Sequence, residues 1–153
     1  MIRRMQEADL AAAARLEQLY FSVPWSWKQL KESMEASEYL FLVAEEEGNV
    51  VGYAGLLKIL DEGNITNIVI EEEYRGRGLG KELTEALLKE GRLCGLHAFT
   101  LEVRAGNTAA IHVYESLGFV QEGVRKHFYE RPVEDAWIMW KREGESPGSL
   151  LET

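Results

Sequence analysis

The chain of 153 residues is 46% hydrophobic and 28% charged, which predicts one compact globular domain. No stretch approaches the roughly 18 consecutive apolar residues of a membrane helix, and the first residues lack the apolar segment of a signal peptide. The net charge of −9 disfavours binding to nucleic acid and anionic membranes, and favours either a basic partner or acidic side chains that serve only solubility.

The first quarter of the chain is predicted to be mainly helical. Residues 2–5 favour a short strand, and the spacing of apolar residues predicts a helix from Asp9 to Phe21. Pro24 cannot continue that helix. Ser26 is a suitable N-cap for a second helix that extends to about Met34.

The middle of the chain is predicted to be a β-meander. Buried-strand patterns cover Tyr39–Ala44, Val50–Leu60 and Asn64–Ile70. Polar turns with a glycine separate them, so the three strands are expected to pair antiparallel.

The last part alternates between helix and strand. Helices are predicted over Gly78–Leu93 and Asn107–Leu117, and strands over Phe99–Arg104, Phe119–Glu122 and Ala136–Trp140. Gly118 is a good residue to end the second of these helices. The fold class is therefore α/β (α+β), with one domain over residues 1–142 and a Gly/Ser/Pro-rich tail, residues 143–153, predicted to be disordered.

A glycine-rich turn, residues 75–81, opens the first of those helices with the sequence Arg-Gly-Arg-Gly-Leu-Gly-Lys. A helix N-terminus presents unpaired N–H groups, and glycines let a phosphate approach the backbone closely. Arg75, Arg77 and Lys81 add positive charge within an acidic chain. The turn is therefore predicted to bind an anion, and the alternative is a flexible connection with incidental glycines.

The turn fits neither of two common phosphate motifs. A Walker loop needs glycine where Arg75 stands and a hydroxyl where Glu82 stands. A dinucleotide fingerprint fails because its third glycine position falls on Lys81 or Leu83.

Arg-Gly-x-Gly-x-Gly at the start of a helix resembles the pyrophosphate-binding turn of the GNAT acetyltransferases. The preceding strand and Glu71–Tyr74 resemble the same family's context, with Glu72 where many members have proline. The resemblance implies a central mixed, mostly antiparallel sheet flanked by about four helices. It also implies that the chain binds acetyl-CoA. The pantetheine arm would pair with backbone groups of Ile68, Val69 and Ile70. The pyrophosphate would lie at the glycine-rich turn, which consists of Arg75, Gly76, Arg77, Gly78, Leu79, Gly80 and Lys81.

A second segment, Leu101–Phe119, is more specific. It reads L-E-V-R-A-G-N-T-A-A-I-H-V-Y-E-S-L-G-F and resembles the ribosomal-protein alanine N-acetyltransferases (RimI type). The Pro24-Trp25-Ser26 element and residues 134–136 resemble the same subfamily. The similarity implies an enzyme that acetylates the N-terminal alanine of a small-subunit ribosomal protein, and that Asn107 contacts the cofactor.

Two residues of this segment are the candidate acid and base. Alternation along the strand places Glu102 on the face opposite Leu101 and Val103, and Asn107 and Tyr114 share one helix face. From the residues alone, Glu102 is equally a partner for Arg104 or a nearby lysine, and Tyr114 equally a core aromatic. With the resemblance, Glu102 is expected to be the base and Tyr114 the acid.

The expected substrate is the N-terminal peptide of a basic ribosomal protein, with coenzyme A as a product. Trp25 and Tyr129 are the candidate peptide contacts, Tyr129 lying in a segment, residues 126–131, placed between the last two strands. Acetylation of a small amine and a non-catalytic role in sensing acetyl-CoA are the alternatives.

The remaining reactive residues favour no other chemistry. The single cysteine, Cys94, excludes an internal disulfide, fits a cytoplasmic protein, and lies on an apolar helix face that argues against covalent catalysis. The three histidines have no metal-binding spacing, so no metal is expected.

Overall fold

The computed structural model describes residues 1–143. The predicted disordered tail lies outside these residues except for Glu143. In the described part, no helix is long and apolar enough to cross a membrane. The elements follow one another as β1 (Ile2–Arg4), α1 (Leu10–Tyr20), α2 (Trp27–Glu35), β2 (Tyr39–Glu46), β3 (Asn49–Ile59), β4 (Glu62–Ile70), α3 (Leu79–Leu93), β5 (Ala98–Arg104), α4 (Thr108–Ser116), β6 (Val120–Tyr129) and β7 (Glu134–Arg142).

The strands form one sheet in the order β1-β2-β3-β4-β5-β7-β6. Every neighbouring pair is antiparallel except β4 and β5, which are parallel because α3 crosses between them. The mixed, mostly antiparallel sheet with four helices confirms the predicted fold class.

Each face of the sheet carries its own core. On the α3 face, which α3 and α4 cover, Leu83, Leu87 and Phe99 are fully buried. On the α1 face, which α1 and α2 cover, Leu16 and Leu30 are fully buried. The alternation of side chains along each strand therefore decides which core a residue joins.

The start of α2 confirms one local prediction. Ser26 caps the helix, because its hydroxyl accepts the N–H of Gln29 (3.1 Å) while the Gln29 side chain accepts the N–H of Ser26 (2.8 Å). This reciprocal arrangement satisfies two donors that the helix cannot satisfy itself.

The boundaries of the last two strands were predicted too short. β6 runs to Tyr129, so residues 126–129 belong to a strand rather than to the connection between strands. Most of β6 is exposed, so it lacks the alternation of buried and exposed residues that marks a strand in sequence. Its conformation comes from pairing with β7, for example Val124 opposite Trp137.

Candidate active site

The site begins where two neighbouring strands separate. β4 and β5 pair only as far as Ile65 opposite Leu101. Beyond that point β4 follows β3, and β5 follows β7 to Arg104. On β3, Gly55 pairs with Asn67 and the next residue, Leu56, pairs with Ile65. Thr66 is therefore an extra, unpaired residue at a bulge in β4. The parting strands leave an open edge on β4.

The open edge exposes backbone groups of alternate residues. The N–H of Glu71 donates to the carbonyl of Val51 (2.7 Å). Antiparallel hydrogen bonds alternate along a strand, so Val69 is also bonded to β3. The N–H and C=O groups of Ile68 and Ile70 therefore turn toward the gap between β4 and β5.

The glycine-rich turn adopts the conformation that its composition requires. Gly76 (φ 79°) and Gly78 (φ 81°) are both left-handed, which strains any residue with a Cβ. The first intrahelical bond of α3 joins the N–H of Glu82 to the carbonyl of Gly78 (3.0 Å). The N–H groups of residues 79–81 are thus free of helical partners and available to an anion.

The three cations of the turn have different positions. Arg75 donates to the carbonyl of Ile70 (2.9 Å) and, like Lys81, lines the cavity described below. Arg77 lies over the ring of Tyr74 (4.9 Å) and is outside the cavity lining. The structure therefore brings two of the three predicted cations to the site.

A cavity of about 1340 Å³, the central cavity, joins the glycine turn to the gap between β4 and β5 and to the α1–α2 connection. All of the predicted site residues except Arg77 line it: Trp25, Ile68, Val69, Ile70, Arg75, Gly76, Gly78, Leu79, Gly80, Lys81, Glu102, Asn107, Tyr114 and Tyr129. One continuous space therefore contacts residues that lie far apart in the sequence.

Glu102 lies in the gap with one oxygen unpaired. Its Oε2 is buried and has no hydrogen-bond partner among residues 1–143, while its Oε1 lies 3.7 Å from Nε of Arg125. Arg104, the partner that the sequence suggested, pairs instead with Glu134 (3.4 Å). The residue lines the central cavity, and its unpaired oxygen is an acceptor that a ligand there could complete.

Tyr114 approaches the gap from the other side of the sheet. It is 9% exposed, packs edge-on against Phe119 at 5.9 Å between ring centroids, and belongs to the core of the α3 face. Burial raises the pKa of its hydroxyl above the usual value, so the group keeps its proton at neutral pH. It is at once a core aromatic and a potential proton donor.

Asn107 is the N-cap of α4 rather than a residue of its first turn. Its Oδ1 accepts the N–H of Ala110 (3.2 Å). The NH₂ group of this side chain remains available to donate to a ligand.

Trp25, on the α1 face, and Tyr129, whose ring lies 4.4 Å from the Arg104 guanidinium, both line the cavity. The Trp25 ring packs edge-on against Tyr39 (6.1 Å) and Phe41 (6.3 Å). Burial and the Glu102 carboxylate raise the pKa of the Tyr129 hydroxyl to about 12, so it also stays protonated.

A buried carboxyl group in the cavity wall was missed by sequence reasoning. Glu17 is 1% exposed and accepts hydrogen bonds from the backbone N–H of Trp25 (2.8 Å), from Asn67 Nδ2 (3.0 Å) and from the Tyr53 hydroxyl. Its only signal in the sequence is a glutamate on the apolar face of α1. Its partners, Tyr53 and Asn67, belong to other elements, so periodicity does not reveal them.

Comparison with known proteins gives consistent matches. The model of the "Acetyltransferase (GNAT) family" matches residues 10–119. The chain is 37% identical over 140 residues to the [ribosomal protein bS18]-alanine N-acetyltransferase of Escherichia coli K12, covering 90% of this chain and 94% of that one.

Two solved structures have the same architecture. The ribosomal-protein-S18-alanine N-acetyltransferase of Escherichia coli superposes with a TM-score of 0.86 at 34% identity, over 95% of both chains. A Salmonella typhimurium protein solved with acetyl-CoA superposes with a TM-score of 0.84 over 95% of both chains, and at 24% identity it shows the fold alone.

Proposed function

This chain belongs to the GNAT family of acetyltransferases, and we propose that it acetylates the α-amine of an N-terminal alanine on a small-subunit ribosomal protein. It is an acetyl-CoA-dependent acyltransferase. The relatives with the same length and architecture act on ribosomal protein bS18, which makes the corresponding basic N-terminal peptide the proposed substrate.

The observation that carries the proposal is the continuity of the central cavity. It joins a helix N-terminus with free N–H groups to Glu102, whose Oε2 has no hydrogen-bond partner in the described part of the chain. An acyl transfer from a phosphate-bearing carrier to an amine needs these two features in one space.

The cofactor side of the site is assigned to backbone groups. We assign the pyrophosphate to the N–H groups of residues 79–81, and the pantetheine arm to the open edge at Ile68 and Ile70. A Cβ at Gly76 or Gly78 would meet no described atom within 4 Å, so the space above the turn is free for the phosphates. Arg75 and Lys81 supply positive charge there.

Acetyl-CoA supplies an acetyl thioester, whose carbonyl carbon forms a C–N bond with the amine while the C–S bond breaks. Glu102 takes the proton that the amine loses, directly or through water, and Tyr114 gives its proton to the departing sulfur. An α-amine has a pKa near 8, so roughly a tenth is already neutral at pH 7 and a carboxylate suffices as base. We assign the amide nitrogen of Asn107 to the cofactor.

The acceptor side is assigned to aromatic side chains that line the cavity. Trp25 and Tyr129 offer aromatic walls to the first residues of an extended peptide. The net charge of −9 attracts a basic peptide over a distance and raises the association rate. With a ribosomal substrate, we propose a cytoplasmic location for the enzyme.

A competition assay tests this proposal. Acetyl-CoA is offered with a basic hexapeptide that starts with alanine, with the same peptide carrying a blocked N-terminus and an added lysine, and with spermidine. The α-amine of the first peptide is expected to be acetylated fastest. Preferred acetylation of spermidine would favour a small-amine enzyme, and binding of coenzyme A without any turnover would favour a sensing module.

A further inference from the structure

Three buried polar oxygens in the described part of the chain have no hydrogen-bond partner: Thr66 Oγ1, Asn67 Oδ1 and Glu102 Oε2. All three residues line the central cavity. A buried polar group without a partner destabilises a fold, so each one in a native structure needs a reason, such as a ligand that completes it. Three such groups in one wall indicate a polar ligand there.

Asn67 and Glu102 project from the same face of the sheet. Leu101 and Val103 point into the core of the α3 face, so Glu102 between them points the other way. Asn67 bonds to Glu17 of α1 and therefore lies on the α1 face. Both residues follow the last β4–β5 pair along their strands, so they flank the gap from its two sides.

Glu17 determines the orientation of the Asn67 amide. Its carboxyl oxygens accept hydrogen bonds from a backbone N–H, a hydroxyl and Nδ2 of Asn67. A carboxylate can only accept, so it requires the NH₂ end of the amide. Asn67 Oδ1 is consequently held away from Glu17, and the residue is 6% exposed, so solvent does not satisfy this oxygen.

Thr66 has a different environment from Asn67. A Cβ added at Gly55 of β3 would lie 2.8 Å from Thr66 Oγ1 and would also meet the ring of Phe41. The hydroxyl thus faces the neighbouring strand, and it can rotate to donate or to accept. The pair of fixed acceptors at the gap is Asn67 with Glu102.

We propose that Asn67 Oδ1 and Glu102 Oε2 accept the two N–H groups of the incoming primary amine, and that Glu17 is a positioning residue that keeps Asn67 in this orientation. The inference rests on the proposed function. When both N–H groups are hydrogen-bonded, the lone pair of the nitrogen stays free and is directed away from the two acceptors. Orientation of this kind lowers the entropic barrier to attack.

A primary amine satisfies both acceptors, whereas an N-methylated amine leaves one of them unpaired. The wild type is therefore expected to prefer a primary amine, and loss of the Asn67 acceptor should remove most of that preference. A purely structural role for Asn67 would lower the rates on both amines equally.

The test compares kcat/KM for an alanine-starting basic peptide and for the same peptide with N-methylalanine first. The wild type should favour the primary amine by about tenfold or more, the value of one hydrogen bond. Asn67→Leu keeps the branched shape and the number of heavy atoms of the side chain but removes the acceptor, and should bring the ratio within about threefold. An unchanged ratio in Asn67→Leu overturns the inference.

Controls separate the possible failures. Asn49→Leu, the same exchange at the exposed first residue of β3, should keep the wild-type ratio. Binding of coenzyme A by calorimetry shows that a variant is folded. If Asn67→Leu does not bind coenzyme A, Glu17→Gln is used as the test instead. This exchange no longer fixes the orientation of the Asn67 amide, and it should lower the preference for the primary amine at least twofold. Absence of turnover in the wild type contradicts the proposed function and this inference together, whereas turnover with an unchanged ratio contradicts the inference alone.

Discussion

The two sides of the central cavity are built from different parts of the chain. The glycine turn and the open edge of β4 present main-chain groups, which depend on local conformation. The α1 face presents side chains, among them Trp25, Asn67 and Glu102, which are held by contacts between distant elements. Coenzyme A is the same in every reaction and suits the surface of main-chain groups. The amine substrate can vary and suits the surface of side chains. Substitutions on one side should therefore leave ligand affinity on the other side unchanged.

The largest effect is expected where the two sides meet. Glu102→Gln removes the base but keeps the shape of the side chain, and should lower kcat/KM for the peptide by about 10²-fold or more. Calorimetry should find the affinity for coenzyme A unchanged. A shift in melting temperature with normal turnover would assign Glu102 a structural role.

A loss of similar or slightly smaller size is expected from Tyr114→Phe. The exchange removes the proton donor while keeping the ring against Phe119, so kcat should fall by about 10²-fold with the melting temperature little changed. Because burial raises the pKa of this hydroxyl, its ionisation should cause no loss of rate below about pH 10. Turnover at the wild-type level would exclude Tyr114 as the acid.

Gly78→Val should affect only the cofactor side. A side chain there enters the phosphate space and strains a residue at φ 81°, so the KM for acetyl-CoA should rise at least about tenfold. Gly48→Val is the matched control, because Gly48 has the same φ of 81° in an exposed turn away from the cavity. An equal rise in KM in both variants would mean that strain, rather than phosphate binding, is responsible.

The smallest effect is expected from Trp25→Ala, which removes an aromatic wall on the peptide side. The KM for the peptide should rise about three- to tenfold, as for the loss of one aromatic contact, with no change in the KM for acetyl-CoA. Steady-state kinetics with each substrate varied in turn measure both constants. A rise in the KM for acetyl-CoA alone would contradict the division of the cavity.

Local rules account for the correct structural predictions. The start of α3 at the glycine turn follows from residues adjacent in sequence, and so does the Ser26 cap. The side of β5 from which Glu102 projects follows from simple alternation. The course of β6 did not follow from any local rule, because an exposed edge strand has no apolar pattern and is specified by its partner β7.

The sequence by itself determined the glycine turn, the side of β5 from which Glu102 projects, and where the free N–H groups of α3 lie, since φ preference and side-chain periodicity are local properties. Only the tertiary structure decided which side chains meet. Glu17 bonds to Asn67 across 50 positions of sequence and to Tyr53 across 36, and Glu102 faces Arg125 rather than Arg104. Such contacts depend on how strands are ordered in the sheet and on the gap between β4 and β5, and neither is set by the residues nearby.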